Sequence, residues 1–202
     1  MKESQMTNIL FVNACVKHKA VSRTESFAQA YLGKRLEDKT CQIKTVILED
    51  TAMSPLSAAS LNERDKAISN NDFSDASFEL AKSFAAADEV VIAAPYWDMS
   101  FPALLKLYIE QLCVNKLTFY YDETGRPRGL VNVKKVIYFT TSGGYIGNAN
   151  FGYEYIKGVF SALFGISDIS FFSAEGLDIY GNDADKILKD ATEKMLSETS
   201  NM

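Results

Sequence analysis

The chain has a single histidine, His18, and three widely spaced cysteines, Cys15, Cys41 and Cys113, with no CxxC pair. So thin a supply of ligands excludes a zinc site or an iron–sulfur cluster of the usual spacing. An odd number of scattered thiols also argues against a disulfide framework. No apolar run is long enough to cross a bilayer, and the polar start, Met1 to Thr7, lacks the apolar core and cleavage site of a signal peptide. A cytoplasmic protein with no membrane partner is expected. A basic excess is missing too: net charge is −5 and the pI is about 5.0, which removes nucleic acid as an expected partner. Neither GxGxxG nor GxxxxGK[ST] occurs, which disfavours a dinucleotide-type Rossmann site and a P-loop.

With no repeat, low-complexity tract or linker, the chain reads as a single domain over residues 1–202. Short apolar runs at Asn8–Asn13, Glu89–Ala94 and Lys135–Thr141 read as buried strands, and Gln42–Leu48 and Asp168–Phe172 as a second and a fifth strand. Helical spacing follows Ser22 (Phe27, Ala30, Tyr31, Leu36) and is predicted over Asp72–Ala87, from Ser100 and Pro102 onward, over Tyr153–Phe164 and over Asp183–Leu196. Glu49–Ser60 reads as loop, and Lys116–Tyr121 with Arg128–Val131 as a small hairpin around Asp122–Gly125. Strands alternating with helices predict an α/β fold: a doubly wound five-stranded parallel sheet in a three-layer α/β/α sandwich. Ligands of such folds sit outside the carboxyl ends of the strands, so the loops after the first, third and fourth strands carry the functional reading.

After the first strand, Ser22 or Thr24 can cap a helix, with Glu25 completing a capping-box pattern. The same hydroxyls, the free amides of a helix start and the charge of Arg23 can bind a phosphate. After the third strand, Pro95-Tyr96-Trp97-Asp98-Met99 holds the chain's one tryptophan and, with Pro102, two of its four prolines. A stiff aromatic loop at this edge can form the wall of a flat pocket. After the fourth strand, Thr141-Ser142-Gly143-Gly144-Tyr145 lets bare backbone approach a ligand and donate to it. His18 reads as a solvated loop side chain and Cys15 as a small strand-end residue. Asp98 and Glu110 are too far apart in sequence to share a helix turn, and no general acid or base is assigned.

Three motifs carry a resemblance: VNACVKHKAVSRT (Val12 to Thr24), APYWDMSFPALLKLYIE (Ala94 to Glu110) and TTSGGYIG (Thr140 to Gly147), with LFGISDISFFSAEGLDIYG (Leu163 to Gly181) beside them. On these the chain resembles the FMN-dependent NADH azoreductases and NAD(P)H:quinone oxidoreductases of the flavodoxin-like fold. The resemblance implies FMN as bound cofactor, NADH or NADPH as donor, and a quinone or azo compound as acceptor of two electrons in a ping-pong cycle. It implies that Ser22, Arg23 and Thr24 hold the phosphate, that Tyr96, Trp97, Asp98 and Met99 follow the ribityl chain and ring, and that Thr141, Ser142, Gly143 and Gly144 meet the ring's polar edge. It also implies a homodimer, with Tyr120, Tyr121, Phe151 and Tyr153 as interface or, alternatively, as packing within one subunit. The sequence departs from the pattern at Cys15, where many relatives have a hydroxyl, at Trp97-Asp98, in place of a Tyr-Asn pair, and at Ser142, where some have Arg. The alternatives are a flavodoxin-type electron carrier and a non-enzymatic flavin-binding regulatory domain.

Overall fold

Ile9, Leu10, Phe11 and Val12 are all buried, on both faces of their strand. The computed structural model describes residues 6–17, 22–37 and 40–199 and gives the reason. Strand β1 (Thr7–Asn13) leads through α1 (Arg23–Leu36) to β2 (Cys41–Ile47), then through α2 (Ala58–Asn70) and α3 (Glu79–Ala86) to β3 (Glu89–Ala93). Next come α4 (Ala103–Leu112), an antiparallel ribbon of β4 (Phe119–Tyr121) and β5 (Pro127–Gly129), and β6 (Lys135–Thr141). The chain ends with α5 (Phe151–Phe164), β7 (Asp168–Ala174) and α6 (Ala184–Thr199). The large sheet runs β2-β1-β3-β6-β7 with every pairing parallel. The five-stranded doubly wound sheet is as expected. Its order makes the chain turn one way from β1 and the other way at β3, which opens a crevice at their carboxyl ends.

Alternate residues of each strand serve opposite layers. Leu10 and Val12 pack with Phe84, Leu105, Ile109 and Phe160, under α3, α4 and α5. Ile9 and Phe11 pack with Phe27, Tyr31 and Met195, under α1 and α6. Phe27 meets Phe139 of β6 edge-on at 5.1 Å, which fixes the start of α1 against the sheet.

Three elements depart from the sequence expectation. Helix α2 starts inside the predicted loop and buries none of its side chains, so it offers no apolar period to read. It is held by a reciprocal Ser57–Ser60 capping box and by Arg64, which donates to the carbonyls of Glu110 and Cys113 at the end of α4. Helix α3 begins at Glu79 rather than Asp72: the Asp72 carboxylate accepts from the amide of Ser74, and Asp75 caps a single 3-10 turn, Ala76–Phe78, that leads into the helix. Such local bonds offer the backbone an alternative to helix. In α1, Leu36 is exposed, while Ala28 and Leu32 join Phe27 and Tyr31 in the core.

Tyr108 on α4 is fully buried, and among the described residues its hydroxyl has no hydrogen-bond partner. Burial pushes its phenol well above the ordinary range. Tyr108→Phe is therefore expected to leave stability unchanged or raise it by about 1 kcal/mol, since an unsatisfied buried hydroxyl carries a desolvation cost. A clearly lower urea midpoint in the variant would show that the hydroxyl is engaged.

Candidate functional site

The parallel register sets Asn13 opposite Ala93, Ala93 opposite Phe139 and Thr141 opposite Ala174, so four strands end on one edge and four loops leave it together. At the first exit, Ala14 N–H donates to Ala93 O at 2.8 Å and Cys15 N–H to the Asn13 side chain at 3.0 Å, which turns the chain toward α1. Ser22 is the N-cap: its oxygen accepts from Glu25 N–H at 3.2 Å. Capping uses only a lone pair, and the O–H, which lies within reach of Cys15, can still donate, so capping does not exclude the phosphate reading of Ser22. The amides of Arg23 and Thr24, the first two of the helix, find no acceptor among the described residues.

Thr24 reaches sideways. Its hydroxyl lies 2.5 Å from that of Thr141 at the end of β6, and both groups are buried. This bond ties the start of α1 to the fourth-strand loop across the end of β3.

The third-strand loop is stiffened by more than its prolines. Trp97 and Ser100 exchange both backbone hydrogen bonds, at 3.1 and 2.7 Å, around Asp98 and Met99, which have φ of 50° and 64°. Two left-handed residues make a tight turn of the I′ kind, unusual for methionine and costing roughly 1–2 kcal/mol per residue. Tyr96 anchors the base: its N–H donates to Thr141 O at 3.0 Å and its hydroxyl to Ala149 O at 2.8 Å.

The glycine loop is strapped from outside. Leu177, Asp178 and Gly176 donate their N–H groups to the carbonyls of Ser142, Gly143 and Gly144 at 3.1, 2.9 and 3.0 Å. Glu175 accepts from Ile146 N–H at 2.9 Å. With the carbonyls bound outward, the N–H groups of Gly143, Gly144 and Tyr145 have no acceptor among the described residues.

These loops enclose a cleft of about 230 Å³ lined by Ser22, Arg23, Thr24, Pro95, Tyr96, Trp97, Thr141, Ser142 and Gly143, together with Cys15, Val16, Lys17 and Asp178. Asp98 and Met99 stand at the turn tip and Gly144 and Tyr145 at the rim, outside this lining. Asp178 and Glu175 escaped sequence reasoning; their position just after the last strand was the available signal. His18 lies outside the described residues. A larger groove of about 570 Å³ lies beside the N-terminal halves of β1 and β2, against α3. It lacks the cleft's convergent free amides and sits away from the strand ends, so chemistry favours the smaller cleft.

The switch-point cleft of this α/β protein thus has unpaired amides and an arginine at one end, an aromatic wall, and further unpaired amides in and beside the glycine loop. The chain belongs to the family Flavodoxin_2, described as having a flavodoxin-like fold, which matches residues 7–198. It is 34% identical to an FMN-dependent NADH:quinone oxidoreductase of Clostridium perfringens (strain SM101), over 95% of this chain and 98% of that one. It is 35% identical to FMN-dependent NADH:quinone oxidoreductase 2 of Clostridium acetobutylicum, over 94% and 96%. Among solved structures, its fold matches an FMN-dependent NADH-azoreductase from Bacillus anthracis (Ames Ancestor) in complex with FMN, at a TM-score of 0.81 and 22% identity, covering 97% of this chain and 99% of that one.

Cys15 lines the cleft but is only 5% exposed. Burial pushes its thiol from 9.0 up to about 11, partly countered by a hydrogen bond from Ser22 and reinforced by the Glu25 carboxylate. It is therefore not a nucleophile at neutral pH. A thiol that ionises later in the folded than in the unfolded chain contributes stability that is intact below pH 9 and lost as pH climbs to about 11, about 2–3 kcal/mol in all. Cys15→Ser is expected to lose less stability than the parent over that interval in denaturant titrations. Identical losses would contradict the assignment.

Proposed function

We propose that this protein is an FMN-dependent oxidoreductase that takes electrons from NADH or NADPH and passes them to a quinone or an aromatic azo compound. The observation that carries the reading is one cleft with unpaired backbone donors at both ends, Arg23 and Thr24 at the helix start and Gly143 at the far loop, with the unpaired amides of Gly144 and Tyr145 following just beyond its lining. A phosphomonoester suits the first set, where the helix dipole, Arg23 and the Ser22 hydroxyl add to the amides. The polar edge of an isoalloxazine suits the second set, with Trp97 beside it. The names of the clostridial relatives support the same cofactor and chemistry.

Bound there, FMN supplies the two-electron chemistry, and the protein contributes binding, orientation and electrostatics. Fixed amides at Gly143 and Gly144 stabilise negative charge at the ring edge without reorganising. The Trp97–Ser100 turn holds the wall rigid, and the Thr24–Thr141 bond sets the span between the two donor sets. No side chain in the cleft is needed as a general acid or base. On this reading donor and acceptor would use the same site in turn, a ping-pong order. Asp98 and Met99, at the tip of the turn, would bear on the flavin through the backbone they hold in place. We read residues 1–202 as one flavin-binding domain. No described helix is long and apolar enough to cross a membrane. The three cysteines are free, in keeping with a cytoplasmic setting.

A homodimer is the second part of the reading. Trp97, Met99, Tyr145 and Phe151 are exposed around the cleft, and Tyr120 and Tyr121 on the ribbon. Tyr153 does not belong to this set: it stacks on Phe171 at 4.8 Å and donates to Ile169 O. Sedimentation at micromolar concentration is expected to give the dimer mass; monomer throughout would remove this part.

The function is tested by loading the protein with FMN, removing the excess and adding NADH without oxygen. Retained flavin bands that bleach, and parallel initial-rate lines with a quinone, are expected. Bands that persist unbleached with either nucleotide would mean an electron carrier, and no retained flavin would refute the cofactor. Intersecting lines would contradict the shared face.

A further inference from the structure

The cleft contains a negative charge where its ligand is itself an anion. Arg23, at the helix start, donates from Nη2 to Asp178 Oδ1 at 2.8 Å and from Nη1 to Leu177 O at 3.3 Å. Both members of the pair line the cleft. Asp178 is also part of the strap on the glycine loop: its N–H donates to Gly143 O at 2.9 Å, and its other carboxylate oxygen sits over Gly143, where a Cβ would come within 2.5 Å of it. One carboxylate thus touches the arginine of the phosphate end and the glycine of the ring-edge end.

We propose that Asp178 is an internal competitor for Arg23, standing in for the ligand's phosphate until a phosphomonoester displaces it, and that this exchange lowers affinity for the phosphorylated cofactor. The inference rests on the FMN reading of the site. The Nη1/Nη2 edge of Arg23 is taken up by Leu177 O and the single Asp178 contact, so a phosphate that takes this edge as a bidentate acceptor competes with the carboxylate for Nη2. The phosphate prevails because it carries more charge than a carboxylate and adds the free amides of Arg23 and Thr24 and the helix dipole. Release of the carboxylate reaches Gly143 directly, so occupation of the phosphate end is transmitted to the loop that meets the ring. A ligand without a phosphate leaves the Arg23–Asp178 pair in place.

The ion pair is partly exposed, with side chains 39% and 65% accessible, so its competition is modest. Asp178→Asn is expected to tighten FMN binding by about two- to five-fold, the range for an exposed pair, while riboflavin binding stays unchanged. In an Arg23→Gln background the same substitution is expected to have no effect on FMN. Both ligands are read by quenching of flavin fluorescence at fixed ionic strength. Weaker FMN binding in Asp178→Asn would mean that the carboxylate positions Arg23 for phosphate, and would overturn the proposal. Equal changes for FMN and riboflavin would also overturn it, as the mark of a structural effect on the strap. FMN binding by the parent with no change in the variant would defeat the competitor alone, whereas no flavin binding by the parent would defeat the cofactor reading and the competitor with it.

Discussion

Strand β1 accepts a parallel neighbour on each side, β2 and β3, and every later feature of the molecule follows from that double pairing. A strand flanked on both sides and covered on both faces must be apolar along its length, as Ile9–Val12 are. Parallel neighbours need crossovers, and right-handed crossovers taken in opposite directions place α1 and α6 on one face and α3, α4 and α5 on the other. The loops after β1 and β3 then diverge, and the space between them is the cleft. Function on this fold depends on which polar groups those loops leave unpaired.

The site is built by spending hydrogen bonds on the wrong side of each loop. Ser22 takes up Glu25 N–H, Tyr96 N–H goes to Thr141, and the carbonyls of Ser142–Gly144 face the strap from Gly176–Asp178. What remains are the amides of Arg23, Thr24 and Gly143, which belong to residues lining the cleft, and those of Gly144 and Tyr145 next along the loop, none with an acceptor among the described residues. Unpaired backbone donors are tolerated where water or a ligand completes them. The buried hydroxyl pair of Thr24 and Thr141 keeps the two donor sets in register, so that a rigid ligand can meet both.

Much of this was legible in the sequence, because it rests on local patterns. The three inner strands are nearly continuous apolar runs and the two edge strands shorter apolar stretches, the ribbon is marked by Asp122–Gly125, and Ser22, Arg23, Thr24, Pro95, Tyr96, Trp97 and Ser142 follow strand ends. What escaped has no local signature. Helix α2 has no fully buried side chain, only Ala67 and Ile68 partly covered against Phe78, Ala81 and Val114, and depends on Arg64 contacting α4, far along the chain. The late start of α3 follows Asp72, which takes the Ser74 amide, and a single 3-10 turn capped by Asp75. Asp178 and Glu175 matter only because β7 pairs with β6 in a register that brings them against the glycine loop. The rigidity of the Trp97 loop was anticipated, but its main cause, two left-handed residues, cannot be read from Asp98-Met99.

On the reading proposed above, one cleft at the carboxyl edge of β1, β3 and β6 holds the flavin through unpaired amides at its two ends. Amide proton–nitrogen spectra of the labelled protein, recorded with and without FMN, test it most directly. The largest shifts are expected at Arg23, Thr24, Gly143, Gly144 and Tyr145, with Asn8–Leu10 and Gln42–Lys44 beside the larger groove unmoved. Shifts gathered at that groove, with the five amides unchanged, would contradict the account.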